Sequence, residues 1–150
     1  MATVSNCDLP EDLYYLVEKH VWARYEDGVV TVGLTDVAQN MAKGIISVSP
    51  KAAGKRVAKG RSVATVESSK WVGPVPCPVN GEIVEVNQEA VSNPSVVNRE
   101  PYGAGWIARI RADDWEAESA DLKTGADGVA AYAAFLEAEG ISCAERPPSG

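Results

Sequence analysis

KRVAKGRSVATVES (residues 55–68), SKW (69–71), VGP (72–74) and VPCPVNGEIVEVNQ (75–88) are the residues that decide the fold. Val63, Val66, Val75, Val79, Ile83, Val84 and Val86 fall in short runs, and Gly54, Gly60, Gly73 and Gly81 separate them. Pro74, Pro76 and Pro78 stand at alternate positions and remove every second N–H, which excludes a helix. Short β-branched runs between Gly and Pro punctuation predict a compact all-β region with tight turns. Two arms, each joining a glycine turn to a Val/Ile-rich strand, flank Lys70. That is the pattern of a small folded-over β-sandwich with internal pseudo-symmetry and one residue at its tip.

Upstream, Val21 and Ala23 alternate with Trp22 and Arg24 up to Asp27-Gly28, and Val29–Leu34 follows as a return strand. Asp-Gly between β-branched runs predicts a two-residue hairpin. Asp36 and Gln39 have capping-box spacing, so a helix is expected over 37–43 with Gly44 ending it, then a strand over 45–48. Downstream, Asn93-Pro94 predicts one helical turn over 94–97, 106–111 alternates as a strand, and 113–123 has weak helical character. VAAYAAFLEAE (129–139) is the clearest helix, capped by Asp127, ended by Gly140, with Val129, Tyr132, Phe135 and Leu136 on one face. Residues 1–12 are polar and expected to be a flexible leader. Residues 13–140 form one domain and 141–150 a flexible tail. The expected class is mainly β, with short flanking helices and a C-terminal helix.

Fourteen Lys and Arg against 21 Asp and Glu give a formal charge of −7. Such a surface is a poor match for nucleic acid and a better one for protein partners with basic docking faces. Cys7, Cys77 and Cys143 are odd in number and widely spread, so no disulfide framework is expected, and His20 is the only histidine, so no zinc site is expected. The N-terminus lacks a basic region followed by an apolar run, and no stretch approaches the length of a membrane span. A reducing cytoplasm is the expected location. No triad or paired acid–base site is visible, so the chain is not expected to be an enzyme.

VESSKW (66–71) resembles the lipoylation motif of the glycine cleavage H protein family, and of lipoyl-carrying proteins generally. Pro78-Val79-Asn80-Gly81 falls where that family has a Pro-Val-x-Gly turn. VEKHVWARYEDGVVTVGLTDVAQN (17–40) resembles its first strands and helix, and NPSVVNREPYGAGWIARI (93–110) its later turn and strand. The resemblance covers about residues 14–139. It implies a barrel-sandwich hybrid of the lipoyl/biotinyl type and lipoic acid attached covalently to Lys70. It also implies Glu67 as part of the motif read by a lipoate-attaching enzyme. His20 is expected either as a satisfied structural histidine or as a contact of the arm. The partners implied are glycine decarboxylase, aminomethyltransferase and dihydrolipoamide dehydrogenase.

Three places in the sequence depart from the ordinary members. Trp71 replaces a small residue after the lysine, Val72-Gly73-Pro74 replaces small or acidic ones, and Cys77 stands where serine or alanine is common. Trp71 beside an exposed tip is expected to flank the arm or to contact a partner. Cys77 is expected as a small buried hydrophobe, with a thiol near the arm's root as the alternative. The -SSKWVGP- run looks more like the lipoate-binding branch associated with a heterodisulfide-reductase-like complex in sulfur oxidation. On that resemblance the arm is expected to serve this complex or sulfur-transfer proteins. Glycine cleavage is the alternative, and an unmodified interaction protein that keeps the fold is another.

Overall fold

The computed structural model describes residues 2–143. Its strands and helices run in the order β1 (Ala2–Val4), β2 (Cys7–Leu9), β3 (Tyr14–Leu16), β4 (Val21–Glu26), β5 (Val29–Leu34), α1 (Asp36–Ala42), β6 (Ile45–Pro50), β7 (Arg56–Val57), β8 (Ser62–Ser68), β9 (Val72–Pro76) and β10 (Gly81–Val86). There follow α2 (Gln88–Ser92), α3 (Ser95–Arg99), β11 (Ala108–Ala112), α4 (Trp115–Glu118), β12 (Lys123–Thr124) and α5 (Gly125–Glu139). A seven-stranded sheet has the order β12-β3-β4-β5-β11-β10-β7, and a three-stranded sheet has the order β6-β8-β9. Their buried residues, among them Val30, Val32, Val63, Val66, Val75, Ile83 and Ile110, form one shared core.

The two arms around Lys70 cross between the sheets. One supplies β7 and β8, the other β9 and β10; β8 pairs with β9 in the smaller sheet and β7 with β10 in the larger. Where the arms cross, Gly60 N–H donates to the Cys77 carbonyl at 2.8 Å and Cys77 N–H to the Arg61 carbonyl at 2.7 Å. The pseudo-symmetry expected from the sequence is therefore an exchange of equivalent strands.

Local signals explain most elements. Asp27 (φ 49°) and Gly28 (φ 85°) are both left-handed, the backbone that a two-residue hairpin of native twist needs. Gly140 (φ 65°) ends α5, its N–H meeting the Leu136 and Glu137 carbonyls. Helix α5 starts earlier than expected, at Gly125, so Asp127 lies in its first turn and is not its cap. Thr35, not Asp36, caps α1, and its side-chain oxygen accepts from Ala38 N–H. Asp36 is buried instead. It accepts from Asp8 N–H at 2.8 Å and from the Gln39 side-chain amide at 2.7 Å.

Two expectations at the chain ends are corrected. Among the described residues, 2–12 are not a loose leader: β1 and β2 form a hairpin turned by Ser5 and Asn6, both of positive φ. Cys7 is then bonded to Cys143 across 136 residues of sequence. A sequence separation so large gives no spacing signal, which is why the pairing was invisible in the sequence. The hairpin, the outer face of the large sheet and α5 enclose a second core of Leu9, Leu13, Tyr15, Trp22, Tyr132 and Leu136. Of the expected tail, Ile141–Cys143 is ordered against this core, and 144–150 lie outside the described residues. No helix among the described residues is long and apolar enough to cross a membrane.

Candidate carrier site at the hairpin tip

Lys70 sits in the turn that joins β8 to β9. Ser68 N–H donates to the Trp71 carbonyl at 2.8 Å, which closes a four-residue turn over Ser69 and Lys70. The Ser68 hydroxyl fills the turn from inside. It accepts from Lys70 N–H at 3.2 Å and Trp71 N–H at 3.0 Å, and donates to the Trp71 carbonyl at 3.1 Å. Ser69 N–H donates to the Gly44 carbonyl at 3.1 Å, which ties the turn to the loop after α1. Each backbone N–H from 68 to 71 thus has a partner, and the turn is rigid without help from the Lys70 side chain. Serine in a turn of this kind is a known local signal, yet Ser68 was passed over in the sequence as part of the motif.

The Lys70 side chain is exposed and its ammonium makes no ion pair or hydrogen bond to another described residue. An acyl group amidated onto Nζ would leave the turn undisturbed, so the residues present fit a covalent lipoyl group. Glu67 is exposed on the outer face of β8, likewise without an ion pair among the described residues. Its cross-strand neighbours are Ser47 and Val72.

Trp71 is 37% exposed, with its indole lying along the strand next to Gly73. Side chains alternate along a strand, and Trp71, Gly73 and Val75 share the row that faces the core, with Val75 fully buried. The indole folds back over Gly73: a Cβ built on Gly73 would stand 2.6 Å from its Cζ3 atom. Val72 (64% exposed) and Ile46 (58%) are the more exposed large apolar residues beside Trp71 at the tip.

His20 lies elsewhere. It follows a short 3-10 turn with a left-handed backbone (φ 58°), and its Nδ1 is 2.5 Å from the Tyr132 hydroxyl, with the Phe135 ring edge-on at 5.5 Å. The Tyr132 hydroxyl also meets Thr35 Oγ1 at 2.8 Å. Burial lowers the His20 pKa to about 4, so the ring is neutral near pH 7. The Tyr132 hydroxyl thus bridges the neutral His20 ring and the Thr35 hydroxyl. These bonds join α5 to the large sheet, and none of them reaches the tip. Cys77 is a buried free thiol whose pKa burial pushes up to about 11, so it stays protonated.

The geometry is that of a presenting hairpin, and comparison with known proteins agrees. The glycine cleavage H-protein family model matches residues 13–135. The chain belongs to this family. Glycine cleavage system H protein 5 of Aquifex aeolicus is 46% identical over 147 residues, covering 95% of this chain and 99% of that protein. The probable glycine cleavage system H protein 2 of Saccharolobus solfataricus is 44% identical over 146 residues, covering 95% of this chain and 98% of that one. The crystal structure of the Mycobacterium marinum H protein superimposes with a TM-score of 0.71 at 30% identity, over 89% of this chain and 100% of that one. Members of the H-protein family are non-catalytic carriers characterised by a lipoyl-lysine. The barrel-sandwich fold expected from the arms is the H-protein fold. Nothing in these relatives supports the expected sulfur-oxidation branch.

Proposed function

We propose that this H-protein relative carries lipoic acid on Lys70 and ferries an aminomethyl group between the enzymes of glycine cleavage. One observation carries the first half: a lysine with a free, exposed ammonium on a turn whose backbone is fully held by its own serine. Amidation at Nζ removes a positive charge and takes the formal net charge from −7 to −8. Lipoic acid supplies a dithiolane that can be reduced and can hold a group on sulfur. The chain supplies a rigid base and the motif carboxylate Glu67, which the attaching enzyme reads. Glycine decarboxylase, aminomethyltransferase and dihydrolipoamide dehydrogenase are the partners that take the arm in turn.

The second half is supported by the relatives, which bear glycine cleavage names throughout. The sulfur-oxidation assignment rested on the resemblance of the -SSKWVGP- run to that branch, and none of the relatives supports it. Three numbered H proteins of Aquifex aeolicus are similar to this chain, so the family diverges within one genome and both systems belong in the test.

Intact mass of the protein from its own host should show a lipoyl increment that Lys70→Arg lacks. A wild-type protein without the adduct overturns the carrier reading. Reduced, lipoylated protein is then offered to glycine decarboxylase with aminomethyltransferase, and separately to a heterodisulfide-reductase-like complex with a sulfur donor. Turnover with the second and none with the first overturns the glycine assignment alone.

A further inference from the structure

Trp71 is the one aromatic beside the attachment site, and its placement calls for an occupant. We infer that the exposed face of its indole is the resting surface of the arm attached to Lys70; this rests on the carrier reading above. Gly73 makes the surface possible. With no Cβ, it lets the benzo edge of the indole lie against the strand backbone, where any side chain would collide at 2.6 Å. The same device occurs once more in this protein. Trp22 lies on its cross-strand partner Gly33, where a Cβ would also meet the indole at 2.6 Å. Trp22, however, is fully buried, whereas Trp71 remains 37% exposed. Seated beside Gly73 and still 37% exposed, the Trp71 ring is a preformed apolar surface at the residue next to Lys70.

The arm has the chemistry to use it. Its acyl chain is a run of methylenes and its end is a disulfide, and both favour an aromatic face over water. The arm is tethered to the neighbouring residue, so even a weak contact is populated, because attachment replaces a bimolecular encounter with a high effective concentration. An outstretched partner anchor would project from the outer row with Val72. Trp71 instead occupies the inner row, already ordered by the carrier's own backbone.

The test uses full-length protein loaded on Lys70 by a lipoate ligase, with loading verified by intact mass before each spectrum. The arm's methylene proton resonances should be shifted upfield from those of free lipoamide by the indole ring current. The shifts should vanish in Trp71→Leu, which keeps an apolar side chain, and persist in part in Trp71→Phe. They should also shrink in Gly73→Ala, which keeps the indole but unseats it. Val72→Ser should leave them unchanged. Failure to load wild-type Lys70 overturns the carrier reading and this inference with it. Loaded protein whose arm resonates like free lipoamide, or shifts that survive Trp71→Leu, overturn the resting surface alone.

Discussion

Replacing His20 by asparagine isolates one proton's contribution to stability. Asparagine tolerates the left-handed backbone at this position (φ 58°) and offers a polar atom near the place of Nδ1. The folded protein holds the His20 pKa at about 4, against 6.5 for an exposed imidazole, because burial penalises the cation. As pH falls below 6.5 the unfolded chain takes up the proton first, so stability present above 6.5 drains away until the folded pKa is reached. Linkage gives a loss of about 2 kcal/mol near pH 5 and about 3 kcal/mol near pH 4, as upper figures for a partly accessible ring. Urea denaturation of wild type and His20→Asn at several pH values separates this loss from that of the carboxylates, which both proteins share. The stability difference should change by about 2 kcal/mol between pH 7.5 and 5, with wild type losing more. His20 is the only histidine, so its ring resonances report the titration directly. A midpoint near 6.5, or parallel pH–stability curves, would refute the buried neutral imidazole.

Two further outcomes concern the second core. Reducing the Cys7–Cys143 bond, which spans 136 residues, should cost up to about 5 kcal/mol by loop-closure entropy. Denaturation with and without a phosphine reductant checks it, and coincident midpoints would show that the bond contributes nothing. Leu136 is fully buried beneath α5, so Leu136→Ala should cost roughly 2–5 kcal/mol. An unchanged melting temperature would mean that α5 is not held by this contact.

Features encoded by neighbouring residues were legible in the sequence. Asp27-Gly28 and Gly140 each specify a backbone that few other residues adopt, and the alternate prolines rule out helix in the arms. Gly81 was readable as a close approach: a Cβ there would lie 2.2 Å from the Arg111 carbonyl oxygen. The place of Lys70 at the turn between two strands was readable from the arms on either side of it. What escaped needs residues far apart or a choice between competing signals. Cys7 and Cys143 meet only once the ends are packed, and the first hairpin is too short for alternation to register. The seat of the Trp71 indole next to Gly73 escaped too, because it depends on how the side chain lies along the strand and not on the motif. Asp36 was read as a cap because its spacing to Gln39 fits, while Thr35 just before it supplies the cap.

Open sheet margins invite copies of a chain to pair with one another. Strand β9 is such a margin, since the small sheet ends with it. Its odd-numbered residues bond toward β8, so Pro74 and Pro76 stand where N–H groups would otherwise face outward. The large sheet ends in β12 and β7, each only two residues long. An incoming strand therefore finds missing donors on the β9 margin and almost no length on either margin of the large sheet. The prolines that break up the arms also let the tip be handled repeatedly while the molecules that bear it stay separate.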